Sequence, residues 1–181
     1  MVRRPVGRTT GWIGYSLAWS DRQFDELNGG RRFPSRYDNR HKLNIVVMHK
    51  LSKRVELSAA WTYTSGNYTT LSTESYEVLT PPSKDPFYNF RQEQFDLYGD
   101  RNNYRLPAYH RLDLGINIYR PKKKGRMGIW NVSVYNAYCR MNPFMIEKTD
   151  EYNPDERKSY PVFKQYSFLP IVPSITYTYK F

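Results

Sequence analysis

Six stretches of this chain alternate apolar and polar side chains residue by residue, and the connections between them alternate too, long then short. Ile13, Tyr15, Leu17 and Trp19 share one face of the first stretch, opposite Gly14, Ser16, Ala18 and Ser20. Leu43, Ile45, Val47 and His49 line the second. Val55, Leu57, Ala59, Trp61 and Tyr63 line the third. Leu112, Leu114, Ile116 and Ile118 alternate with Arg111, Asp113, Gly115 and Asn117 in the fourth, and Trp130, Val132 and Val134 mark the fifth. The sixth is the terminal run from Ile171 to Phe181, with Ile175, Tyr177, Tyr179 and Phe181 on one face and Ser174, Thr176, Thr178 and Lys180 on the other. Strand side chains point alternately to opposite faces, so each stretch predicts a β-strand, and no segment carries a helical period. The connections span residues 21–40, 52–54, 66–109, 120–126 and 136–167.

Structureless connections of that length are uncommon inside a compact domain, and a soluble sandwich has no reason to alternate them with tight turns. A transmembrane barrel has one, because short turns lie on the periplasmic side and long loops outside. With the last strand finishing in the periplasm, both short turns fall there and all three long loops fall outside. Trp19, Trp61 and Tyr63 then sit at outer ends, and Trp130, Tyr177, Tyr179 and Phe181 at inner ends. Two aromatic belts are expected where amphipathic rings meet headgroups.

Composition is compatible with this. Mean hydropathy is −0.78, and the longest apolar run is Ile45-Val-Val-Met48, so no transmembrane helix is expected. A spanning strand needs only about 9–11 residues, half of them polar. The basic start, Met1 to Arg8, lacks the apolar core of a secretory signal. A barrel chain is therefore expected to have its signal, and further strands, upstream. Six strands are too few to close a barrel, since bacterial ones begin at about eight. A hidden membrane hairpin in 66–109 is disfavoured by Pro81, Pro82, Pro86 and the charged run 96–105, although a short hairpin in solvent is compatible with them. The net charge of +11 is spread through the gaps between strands, not gathered as a nucleic-acid reader would gather it. Lys53, Arg54, Lys122, Lys123, Lys124 and Arg126 fall in the periplasmic turns as anchors, because charge at the bilayer midplane is costly.

Five segments, in this order, carry a resemblance: Phe33-Pro-Ser-Arg-Tyr-Asp-Asn-Arg-His41, Tyr63-Thr-Ser-Gly-Asn67, Arg101-Asn-Asn-Tyr-Arg-Leu-Pro-Ala-Tyr-His-Arg-Leu-Asp-Leu114, Tyr135-Asn-Ala-Tyr-Cys-Arg-Met-Asn-Pro-Phe144 and Phe168-Leu-Pro-Ile-Val-Pro-Ser-Ile175. Together they resemble the C-terminal barrel of TonB-dependent outer-membrane receptors of the Bacteroidetes type, over nearly the whole chain from about residue 9. The resemblance implies a barrel of about 22 strands plugged by an N-terminal domain. It implies uptake of a scarce nutrient, such as a ferric chelate or other large solute, driven through a TonB system that engages the N-terminal part. Residues 1–181 would then be one incomplete barrel segment, an all-β antiparallel up-and-down meander of about six long strands. Signal peptide, plug and upstream strands would be absent. The location implied is the bacterial outer membrane, with its lipid and lipopolysaccharide as partners. Tyr177, Tyr179 and Phe181 resemble the C-terminal signal that the barrel-assembly machinery reads.

No catalytic constellation, metal site or cofactor motif is visible. Cys139 is alone, and His41 near Asp38 and His110 near Asp113 are read as loop and interface residues, so no enzyme activity is expected. The arginines of the outer loops are the candidates for ligand contact. Arg31, Arg32, Arg36 and Arg40 lie in one loop, and Arg101, Asn103, Tyr104 and Arg105 in another. Guanidinium forks bind carboxylate or phosphate in bidentate fashion; the competing expectation is that they pair with Asp38, Asp100 and lipopolysaccharide phosphates. The rival to the membrane class is a soluble all-β module whose aromatic face stacks carbohydrate or nucleic-acid bases.

Overall fold

A computed structural model of the chain describes residues 1–80 and 91–181. Its strands in chain order are β1 (Val2–Arg4), β2 (Thr9–Leu17), β3 (Asp21–Arg22), β4 (Phe33–Pro34), β5 (His41–Lys50), β6 (Val55–Thr64), β7 (Tyr68–Thr69), β8 (Ser72–Thr80), β9 (Arg91–Tyr98), β10 (Tyr104–Arg105), β11 (Tyr109–Pro121), β12 (Met127–Tyr135), β13 (Pro143–Asn153), β14 (Lys158–Ser167) and β15 (Val172–Lys180). Among the described residues the sole helical element is a 3-10 turn over Asn28–Gly30. The chain divides into two units. The first holds Met1–Ala18, Asn39–Gly66 and Pro107–Phe181; the second holds Trp19–Asp38 and Asn67–Leu106.

The first unit is built on an antiparallel sheet in the order β1-β2-β5-β6-β11-β12-β15. All six expected strands are present and each long strand pairs with the next. Two details differ from expectation. The basic N-terminal segment forms a seventh strand, Val2 opposite Ile13, so β2 is an inner strand and β1 is the edge. β2 stops at Leu17, which leaves Trp19 outside it, in the second unit. The sheet does not close on itself, since β1 and β15 end the order at opposite edges.

Register fixes what each face carries. Ile13 lies opposite Ile45, Val47 opposite Ala59, Ala59 opposite Leu114, Leu57 opposite Ile116, Ile116 opposite Val132, and Val132 opposite Ile175. On the reverse face Asn44 meets Thr62, Ser58 meets Gly115, Ser133 meets Ser174, and Asn131 lies between Asn117 and Thr176. The Asn131 amide donates to Asn117 Oδ1 at 2.7 Å. A one-residue slip of any strand would have sent its apolar set to the wrong face; none has slipped.

The apolar face packs against nothing in its own unit. Ile13 is 48% exposed, Leu114 44% and Ile175 70%. Among the described residues the buried hydrophobic side chains are Phe33 and Leu106, and both belong to the second unit. Burying one Val, Leu or Ile is worth about 1.5–3 kcal/mol, so part of the stabilisation available to this sheet is unrealised within its own unit.

Polar side chains hold the strand ends instead. Ser52 closes the β5–β6 turn, its hydroxyl accepting from the Arg54 and Val55 amides at 3.1 Å each. The β11–β12 turn passes through Lys124 and Gly125 in left-handed conformation, and the Lys122 amide donates to Arg126 O at 2.8 Å. At the opposite end Asn136, 1% exposed and at φ 54°, donates to Arg140 O at 2.9 Å, Leu169 O at 3.3 Å and Pro170 O, and accepts from the Arg140 amide. Its own amide donates to Asp113 Oδ1 at 3.0 Å. Asn142 makes a reciprocal pair with the backbone of His110, both bonds at 3.0 Å.

Two of the long connections carry hairpins: the one in residues 66–109 agrees with the short hairpin outside the sheet that the sequence leaves open, and the one in 136–167 is not expected from the sequence. Residues 136–167 carry the β13–β14 hairpin, paired from Pro143 opposite Ser167 to Asn153 opposite Lys158. Residues 66–109 carry β8 and β9, paired with each other and with no strand of the large sheet, together with the short β7–β10 pair. Tyr76 stacks on Phe95 in that hairpin at 6.0 Å. Pro81, Pro82 and Pro86 lie outside the described residues. Asn136→Ala removes a buried donor set and leaves carbonyls without partners, at about 1–3 kcal/mol for a lost buried partner. The expected result is faster protease cleavage within 136–142 and around Leu169, with cleavage of the 52–54 turn unchanged.

Candidate ligand cavity in the second unit

Residues 19–38 fold back on themselves through β3 and β4, with Asp21 opposite Pro34 and Arg22 opposite Phe33. The Ser35 amide donates to Ser20 O at 2.8 Å, and the Ser20 amide to the buried Asp38 Oδ1 at 2.9 Å. The tip turns through Asn28, Gly29 and Gly30, at φ 53°, 60° and 75°. Three successive left-handed residues are tolerable because glycine lacks a Cβ and asparagine is among the side chains found there most often.

Residues 67–106 are stitched to this loop by main-chain and side-chain bonds. The Tyr68 amide donates to Arg36 O at 2.9 Å and the Arg101 amide to Asn28 Oδ1 at 2.8 Å. Asn102, itself left-handed at φ 56°, donates from Nδ2 to Pro34 O at 2.7 Å while its amide donates to Thr70 Oγ1 at 3.0 Å. Arg31 pairs with Asp100 at 2.6 Å. Arg105 donates to Asp38 O at 2.7 Å, lies 3.5 Å from Asp38 Oδ2 and covers the Tyr68 ring at 4.8 Å.

Between these stretches lies a cavity of about 680 Å³. Arg22, Arg36 and Arg101 supply its charge. Phe24, Phe33, Tyr37 and Tyr68 supply its rings, Phe24 and Phe33 tilted against each other at 6.2 Å. Thr69, Thr70 and Asn102 add neutral polar groups, and among the described residues no carboxylate is in the lining. The volume lies in the range of small-molecule sites, about 300–1,000 Å³.

The structure sorts the arginines named from the sequence. Arg36 and Arg101 line the cavity. Arg31 and Arg105 are engaged by Asp100 and Asp38, and Arg32 Nε donates to Gln23 Oε1 at 3.4 Å. Asn103 is occupied twice by the Leu71 backbone, and Tyr104 pairs with Thr69 across β10 and β7. Arg40 belongs to the first unit, where its carbonyl accepts from the Ala18 amide at 3.1 Å. Sequence reasoning missed Arg22, Tyr37 and Tyr68. The signal that could have found Arg22 and Tyr37 is the interleaving of arginine with aromatic residues along 22–37; Tyr68 lies outside it.

His41 and His110 make aromatic-hydroxyl contacts. His41 Nδ1 is 2.8 Å from Tyr15 OH and His110 Nδ1 is 2.7 Å from Tyr138 OH. Register puts His110 and Asp113 on opposite faces of β11, so they do not form an acid–base pair. Among the described residues no group of His, Cys, Asp and Glu is arranged to hold a metal ion. At the end of the chain Tyr177 lies 4.7 Å from Trp130 across the β12–β15 ladder, and Phe181 meets Tyr179 edge-on at 5.0 Å. No protein-family model, characterised protein or solved structure matches this chain.

Asp38→Ala would leave the Ser20 amide without its acceptor and remove the carboxylate beside the Arg105 guanidinium, which keeps its bond to the carbonyl of residue 38. Breaking a buried pair costs about 3–5 kcal/mol, less here because Arg105 is 31% exposed. The expected outcome is rapid protease cleavage within 19–38, with Asp38→Asn intermediate because its amide oxygen can still accept from Ser20.

Proposed function

We propose that this chain is a wall segment of a TonB-dependent outer-membrane transporter, with the apolar face of its large sheet against lipid and its long connections outside the cell. The observation that carries the proposal is the uncovered apolar face of the first unit's sheet. A soluble protein rarely exposes a large contiguous apolar patch, whereas a barrel strand turns one face to hydrocarbon by design.

The arrangement of residues along that face supports the same reading. Aliphatic side chains from Val47 to Ile175 occupy its middle, and rings occupy its ends. Tyr15 with His41, Trp61 with Tyr63, and His110 with Tyr138 cluster at one end. Trp130 with Tyr177, and Tyr179 with Phe181, cluster at the other. Tyr63 lies opposite His110, and Tyr179 opposite Gly128, which lies opposite Arg120. Positions 110 and 120 of β11 are ten residues apart, about 33 Å along a strand. A tilt of about 40° projects this to about 25 Å, the height of the apolar band of a spanning barrel. Lys122 over the Tyr179 ring at 5.1 Å suits a headgroup interface.

On this proposal the remaining strands that close the barrel pair with the β1 and β15 edges, the barrel-assembly machinery reads the terminal aromatics, and a TonB system drives uptake through the plug. The alternative, a soluble module with an aromatic stacking face, predicts a chain that is monodisperse in buffer. The test sets Leu57→Arg, Leu114→Arg and Val132→Arg against Ser58→Arg and Ser133→Arg, each scored by partition into lipid vesicles. Charge on a lipid face costs about 2–4 kcal/mol near the midplane, so the first three are expected to lose membrane partition by tenfold or more and the last two to keep it. Full solubility without detergent, with all five variants alike, would overturn the proposal.

A further inference from the structure

We propose that the second unit's cavity binds a small ring-bearing polyanion, a molecule with two or three carboxylate or phosphate groups set around a flat ring. The inference does not rest on the membrane assignment, because every lining residue belongs to the second unit.

The chemistry of the lining selects this class. Arg22 comes from β3, Arg36 from the stretch after β4, and Arg101 from the stretch after β9. Three guanidinium groups from three separate places offer separate forks, which suits an anion whose charges are spread over several groups. Each fork matches a carboxylate or a phosphate in bidentate geometry. Asp100 and Asp38, carboxylates close to the lining residues in sequence, are engaged by Arg31 and Arg105 and contribute nothing to the cavity lining. Among the described residues the cavity therefore carries cationic charge without an internal counter-ion in its lining.

The rings select the frame between those charges. Phe24 and Phe33 form one apolar wall, and Tyr37 and Tyr68 contribute further rings. Arg36 lies over the Tyr37 ring at 5.8 Å, and both residues line the cavity. Aromatic side chains favour flat partners through offset or edge-on stacking. Thr69, Thr70 and Asn102 provide hydroxyl and amide groups for substituents on the ring. A single substituted ring fits a cavity of about 680 Å³.

The test is calorimetric titration of the full chain in detergent micelles with two probes, benzene-1,3,5-tricarboxylate and the corresponding ring trisphosphate. Saturable one-site binding of at least one probe is expected, and the tighter probe identifies the anionic group. Arg36→Gln and Arg101→Gln should each weaken it by about tenfold, and Arg32→Gln, whose guanidinium is held by Gln23, should leave it unchanged. Cyclohexane-1,3,5-tricarboxylate, equal in charge but without a flat ring, should bind at least threefold more weakly than its aromatic counterpart. Absence of saturable binding by both probes would overturn the inference, as would unchanged affinity in both arginine variants with their protease resistance intact. Equal affinity for the cyclohexane compound would remove the ring from it. None of these outcomes depends on where the chain partitions, so the membrane assignment stands or falls separately.

Discussion

A strand side chain can point in only two directions, and in the large sheet of the first unit the apolar direction meets no other layer of that unit. Most domains resolve this by stacking a second sheet or a helix on the apolar face. Here the long strands, in fixed register, present a continuous aliphatic field to whatever lies outside the unit. Everything else about that unit follows from having no dry core. Its order comes from ladder hydrogen bonds and from cross-strand pairs such as Trp130 with Tyr177.

With so little buried hydrocarbon, buried polar groups take on the task of fixing chain direction. Asn136 gathers the ends of two connections through three carbonyls. Asn142 locks the entry to β11, and Ser65 accepts from the His41 amide at 2.9 Å. Asp38 does the same for the second unit. Each is a short polar side chain whose oxygen or amide replaces a missing backbone partner, and an unpartnered buried backbone group is costly enough to make such substitutions decisive. The second unit does hold a small apolar core at Phe33 and Leu106, and its cavity opens beside Phe33.

The long strands were legible because one of their faces is apolar throughout, so the period of two survives in the sequence. Leu57, Ala59 and Trp61 against Ser58, Ala60 and Thr62 is a pattern that only one register satisfies. The β13–β14 hairpin was not legible for the converse reason: nearly all its side chains are exposed or half-exposed on both faces, so charge and rings fall at either parity. β1 was hidden by its brevity and by Arg3 and Arg4 beside Val2. Of the arginines, the sequence could say which loops held them but not which would be claimed by Asp38 and Asp100. That depends on contacts between residues about seventy positions apart.

The central claim is that the face bearing Leu114, Ile116 and Ile118 contacts hydrocarbon while the face bearing Asp113, Gly115 and Asn117 contacts water. Single spin labels at positions 113 to 118, in a Cys139→Ser background and in lipid vesicles, test this directly. Accessibility to lipid-soluble oxygen should peak at 114, 116 and 118, and accessibility to a water-soluble nickel chelate should peak at 113, 115 and 117. Uniform access to the nickel chelate at all six positions, or alternation of the opposite phase, would contradict the account.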